Sequence, residues 1–212
     1  MSGRSFVGMP STHPIGPSQR VNHALLGATL AFAMAATATL CVVAPHPPSL
    51  VYGLTMLASA LFSFLYHTTK RPTRRRLLRL LDHAAIFLLI AGTYTPFAAV
   101  ALKGWGASLL VIVWSLAGLG ILLKILLSPD WDRVFVWVYI ALGWAFVIGL
   151  DEALTALSGP ALALLAAGGL AYTIGAIIYW RDIGEWTDPV WHGFVLAGKG
   201  AHFAAVLAIV AS

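Results

Sequence analysis

Charge is what this sequence has least of. Of its 212 residues only 10% are charged and 59% are hydrophobic, whereas about a quarter of a soluble domain is charged. So little polar surface excludes an ordinary water-exposed globule and points to an integral membrane protein. Cysteine is scarcer still. The single Cys41 lies inside an apolar run, which excludes an intrachain disulfide and a multi-cysteine metal centre. Residues 1–20 are polar and rich in Pro, Gly and Ser, with no short apolar core before a small-residue cleavage signal, so the first span is expected to insert uncleaved. No internal repeat is evident. The formal charge of +5 could suggest nucleic acid, but the basic residues crowd into one short loop and have no interleaved aromatics. Anionic lipid headgroups and topology account for them, and no nucleic-acid partner is expected.

What the chain does have is long apolar runs, and a membrane helix needs about 20 mostly apolar residues. Seven runs qualify, at approximately 22–44, 49–68, 82–102, 107–127, 134–150, 161–180 and 190–211. Turn chemistry separates them: Pro45, Pro47 and Pro48; the basic stretch through Arg79; Gly104; Ser128-Pro129-Asp130; Asp151-Glu152 with Gly159-Pro160; and Asp182 to Pro189. The expected fold is therefore all-α, a seven-helix transmembrane domain over 21–212 behind a polar tail at 1–20. Orientation follows from Lys and Arg. With the N-terminus cytoplasmic, the inside collects Arg4, Arg20, Lys70, Arg71, Arg74, Arg75, Arg76, Arg79, Lys124, Arg133 and Arg181, and the outside only Lys103. That asymmetry predicts N-terminus in and C-terminus out.

The polar residues can then be placed in depth. Ser63 and His67 lie four apart at the end of the second span and share a helix face. Asp82 is expected to open the third span, and Asp188 and His192 the seventh, on the same cytoplasmic side. Ionisable groups within spans are costly and usually mark function. Imidazole with carboxylate suits zinc, and three protein ligands with one open position is the pattern of a catalytic zinc site. Plainer roles stand beside this one. His67 can end its helix or meet lipid phosphate, Asp82 and Asp188 can be N-caps, and Ser63 can bond its own helix backbone. His202, ten residues past His192, lies about 15 Å deeper and should make an interhelical hydrogen bond instead. Lys199, mid-helix on the His192 stripe, either contacts a lipid's polar group or snorkels to a helix end.

Four groups of residues stand out: Ser63-Phe-Leu-Tyr-His67; Leu81-Asp82-His83-Ala-Ala-Ile-Phe with Leu89-Ile-Ala-Gly-Thr-Tyr-Thr-Pro-Phe97; Ala171-Tyr-Thr-Ile-Gly-Ala-Ile-Ile-Tyr179; and Trp191-His192 leading to Val195-Leu-Ala-Gly and His202-Phe203. In these the sequence resembles the hemolysin III proteins, bacterial members of the progestin and adipoQ receptor superfamily. The first span departs, with only Asn22 and His23 where the family carries an acidic residue and Thr-His. The resemblance implies a multi-pass protein of the bacterial inner (plasma) membrane with Zn2+ held by one histidine of the second span and two of the seventh. His67 and His192 take two of those places, and Asp188 stands at the third. Related proteins are regarded as receptors or as lipid amide hydrolases resembling ceramidases, and the hemolysin name reflects a lytic phenotype. The expectation is a zinc-dependent hydrolase of a lipid amide or ester, with Asp82 as general base or water orienter and Ser63 supporting the oxyanion. Its rival is a receptor or lytic, pore-forming protein in which zinc is structural.

Overall fold

In the computed structural model, residues 16–210 are described, and seven helical segments among them are long and apolar enough to cross a bilayer. They are built from α1 (Pro17–Val43), α2 (Pro47–Thr68), α3 (Pro72–Pro96), α4 (Gly106–Leu126), α5 (Asp132–Gly143), α6 (Leu150–Ala156), α7 (Gly159–Arg181) and α8 (Thr187–Val210). No strand occurs among the described residues. The expected tail at 1–20 falls mostly on residues outside the described range. Hydrocarbon cannot solvate N–H or C=O groups, so helices that satisfy their own backbone are the fitting response to this composition.

Two boundaries differ from the sequence reading, for physical reasons. The basic stretch expected as a loop is largely helix. Pro72 stands in the first turn of α3, where its missing N–H costs nothing, and arginine is a good helix former. Asp82 consequently lies ten residues inside α3 and does not cap it. The fifth span is broken: α5 ends at Gly143, a 3-10 turn covers Trp144–Gly149, and α6 completes the crossing. The Tyr94 hydroxyl, from α3, serves the backbone at that break. It donates to the carbonyl of Gly143 at 2.6 Å and accepts from the Phe146 N–H at 2.7 Å. Asp151 and Glu152, expected in a turn, are helical in α6, and the Glu152 carboxylate accepts the N–H groups of Gly104 and Trp105 at 2.7 and 2.8 Å, just ahead of α4.

Packing makes α3 the inner helix. It touches α2, α4, α5 and α8, while α1 bridges α2 and α8, and α7 lies between α5 and α8. The third span is 61% buried; the others range from 22% to 39%. Lipid tails are as apolar as leucine, so close packing must supply cohesion, and small residues permit it. Gly120 of α4 lets the Phe87 ring of α3 seat against the backbone, and a Cβ there would collide with that ring. Phe87 in turn meets Tyr139 edge-on at 4.6 Å between centroids. His202 makes the expected interhelical bond, Nε2 to the Leu165 carbonyl of α7 at 3.2 Å.

The face that carries the α2–α3 junction is here called the basic face. Thr73 lies on it and His46 on the opposite face, and both are exposed. In a chain whose Cys41 is replaced by Ala, Thr73→Cys should label only with a membrane-permeant maleimide, and His46→Cys with an impermeant reagent added outside. The reverse accessibility would invert the charge-based orientation.

Candidate functional site

Four helices bring polar groups together at the basic-face end of the bundle. On α2, Ser59, Ser63 and His67 follow at intervals of four, which puts them on one stripe. On α8, Asp188, His192 and Lys199 form a matching stripe, α3 adds Asp82, and α1 adds Asn22. His67 and His192 meet edge-on with ring centroids 4.8 Å apart. His67 Nδ1 lies 4.0 Å from Asp188 Oδ2. Ser63 Oγ lies 3.4 Å from His192 Nε2, and His192 Nδ1 is 2.7 Å from Asn22 Oδ1. An amide oxygen only accepts, so Nδ1 carries the proton and the Nε2 lone pair faces Ser63.

Asp188 lies in the first turn of α8, but the preceding turn is organised by a different aspartate. Asp182, in the left-handed region at φ 54°, accepts from the Gly184 N–H at 3.2 Å and the Thr187 hydroxyl at 3.1 Å. The side chain of Asp188 is half-exposed and faces His67. Among the described residues no three His, Cys, Asp or Glu side chains stand close enough to cage a metal as positioned. The donor chemistry nonetheless fits zinc. Two imidazoles and a carboxylate face one another, and His192 has the carbonyl partner on its far nitrogen that orients metal-binding histidines.

Deeper along the same stripes, Lys199 is 1% exposed. It does not snorkel: Nζ donates to Ser59 Oγ at 3.1 Å, and the ammonium interacts electrostatically with Asp82. Asp82 also senses Ser63 and Asp188. A polar column therefore runs from His67 and Asp188 through His192 and Ser63 to Asp82, Lys199 and Ser59, enclosed by three helices. Within it the Lys199 ammonium balances the Asp82 carboxylate, while Asp188 at the outer end is half-exposed.

Two features lie beyond the sequence reading. Asn22 was legible only as a departure from a pattern, yet it supplies the partner that orients His192. Its signal is a buried stripe on α1, Asn22, Leu26, Thr29 and Ala33, at helical spacing. On the other side of α3, Asp132 pairs with Arg79 and Lys124 and lies 3.6 Å from His83 Nδ1. His83 follows Asp82 directly, about 100° around the helix, so it faces Asp132 while still acting electrostatically on Asp82 and His67.

A family model described as "Haemolysin-III related" matches residues 19–203. The chain belongs to the haemolysin-III family. It is similar to a hemolysin-3 homolog of Bacillus subtilis (strain 168), with 42% identity over 159 residues, covering 74% of each chain. Hemolysin-3 of Bacillus cereus is 40% identical over 158 residues, covering 74% of this chain and 72% of the relative. The match runs from α1 into α8, so every residue of the polar column lies within the haemolysin-III region. A multi-pass membrane protein of this family is thus the identity that sequence and fold share.

The column's internal pairing can be measured. Lys199→Met leaves Asp82 without its buried counter-charge and should destabilise the protein by about 3 kcal/mol or more in detergent-titrated unfolding. Adding Asp82→Asn should recover part of that loss. Strictly additive effects would show that the two charges do not interact.

Proposed function

We propose that this haemolysin-III protein is a zinc-dependent hydrolase of a lipid amide or ester, with His67, Asp188 and His192 as the metal ligands. The observation that carries the reading is the orientation of His192. Its Nδ1–H is held by Asn22, which leaves the Nε2 lone pair on the side of Ser63, with the His67 ring 4.8 Å away between centroids. When bound, zinc supplies Lewis acidity that acidifies a water and polarises a carbonyl. The chain's own residues do the rest. Asp82, next to Ser63 and balanced by Lys199, is the group to accept a proton from the attacking water. The Ser63 hydroxyl points into the same space and can donate to a carbonyl oxygen as it gains charge. Hydrocarbon on the outer faces of α2 and α8 supports a substrate that arrives from the bilayer.

One observation favours a second reading. Ser63, His192 and Asn22 follow one another as nucleophile, base and orienting group do in a serine hydrolase with an Asn-held histidine. That reading leaves His67 and Asp188 without a task, whereas metal binding uses both, and the 3.4 Å separation is long for a proton transfer. Zinc is therefore preferred. Chelator-sensitive hydrolysis with no fluorophosphonate labelling of Ser63 supports zinc; labelling that survives chelation supports the triad.

Zinc content separates the roles. His67→Ala and His192→Ala should each lose the metal while His202→Ala keeps it, as measured by elemental analysis of purified protein. Asn22→Ala should retain the fold and weaken zinc affinity by roughly ten- to a hundredfold, the usual effect of removing a partner that orients a metal-bound histidine. For Asp188, the histidine variant should keep zinc. Asp188→Asn should bind clearly more weakly, because a neutral amide oxygen is a poor zinc donor. Unchanged affinity in Asp188→Asn would remove Asp188 from the ligand set.

A further inference from the structure

The second polar cluster, where α3 faces α4 and α5, has the properties of an anion site. Arg76, Arg79 and His83 project from one face of α3 towards the end of α4 and the start of α5. A cavity of about 190 Å³ lies there, lined by these three together with Lys124 and Asp132. Three permanent cations face one carboxylate, which leaves two positive charges uncompensated. The cluster is also braced. Asp132 holds Arg79 and Lys124 on its two oxygens, and the Lys124 ammonium sits 4.3 Å above the Phe135 ring. The Lys124 side chain is only 6% exposed, so this cation is fixed before any ligand arrives. Arg76 is exposed and makes no ion pair among the described residues.

Position narrows the ligand. The cavity opens at the ends of three helices, among the arginines of the basic face, which is headgroup depth. Its apolar lining includes Leu80 and Ile125, and Ile125 is 58% exposed on the lipid-facing side. A cationic recess beside a lipid-exposed apolar rim suits an amphiphile with an anionic head. Charge narrows it again. A phosphate monoester carries about −1.5 to −2 at pH 7, which matches the surplus, while a phosphodiester carries half as much. Arginine forks also present paired donors to phosphoryl oxygens.

We propose that the cavity between the basic-face ends of α3, α4 and α5 binds a phosphate monoester group, with Arg76, Arg79 and Lys124 as its ligands and Asp132 as their brace. The site is distinct from the column, because Arg76, Arg79 and His83 leave α3 roughly 60 to 120° around the helix from Asp82 and face α4 and α5. Its occupant is the headgroup of a lipid phosphate monoester or free phosphate, and the chemistry of recognition is shared.

The test uses the purified full-length protein in phosphatidylcholine nanodiscs, with phosphatidic acid or phosphatidylglycerol as a minor lipid, and native mass spectrometry to count retained lipid. A parallel arm adds radiolabelled inorganic phosphate to discs of phosphatidylcholine alone. A lipid occupant predicts retention of phosphatidic acid over phosphatidylglycerol, falling roughly tenfold in Arg76→Gln, as for one lost charge-assisted hydrogen bond. Free phosphate as occupant predicts the same loss in the second arm. Arg71→Gln removes equal charge outside the cavity and should change neither. Arg76 is exposed, so its variant tests the site without threatening the fold, and circular dichroism checks this. The proposal fails if the wild type binds neither species above background, if phosphatidylglycerol is retained as well as phosphatidic acid, or if both variants lose binding equally.

Discussion

A bilayer core offers a protein no hydrogen bonds, and this architecture turns on how its polar groups are satisfied without water. Backbone groups are served first, by helices, and where the fifth span breaks, one tyrosine hydroxyl from α3 serves the freed carbonyl and N–H. Side chains obey the same demand. Lys199 is enclosed with Ser59 and Asp82 in reach, and the His192 imidazole has Asn22 on one nitrogen and Ser63 near the other. Each partner belongs to a different helix. Polar satisfaction therefore also fixes how α1, α2, α3 and α8 pack, a role that apolar contact alone fills poorly in lipid.

The inner position of α3 gives this protein two polar sites. Asp82 and His83 are neighbours in sequence, but the helix turns them to different sides. One side meets the His67, His192 and Lys199 column, and the other meets Asp132 with its three basic neighbours. The basic overhang of α3, from Pro72 to Arg79, serves both: Arg76 and Arg79 face Asp132, whereas Arg75 lies over Tyr66 and acts on His67 and Asp188. Arginines that read as topology signals thus also have local partners, and Arg79 in its ion pair with Asp132 is the clearest instance.

The proposal of a metal centre rests on chemical fit. Two imidazoles, one of them oriented by Asn22, and a carboxylate are a competent zinc donor set, and a second carboxylate with a serine beside it is what water activation needs. The positively charged neighbour of Asp188 is Arg75 of α3, whereas the buried ammonium of Lys199, about three turns further along α8, acts on Asp82.

The number of spans, their approximate limits and the level of the polar residues were fixed by the sequence, because hydrophobic length and the position of charge are local properties. That His67, Asp82, Asp188 and His192 lie towards one end of the bundle was legible because ionisable groups near the ends of apolar runs stand out, and Ser63 because it shares a helix face with His67. The start of α3 was not, since arginines that look like loop also propagate a helix once Pro72 has begun it. Nor was the break in the fifth span, whose apolar sequence is continuous and whose 3-10 turn is stabilised by Tyr94 from another helix. Asn22, Asp132 and the enclosure of Lys199 emerged only in three dimensions. Each acts through a partner on another helix, some far away in the chain, and such pairings are decided by how helices pack.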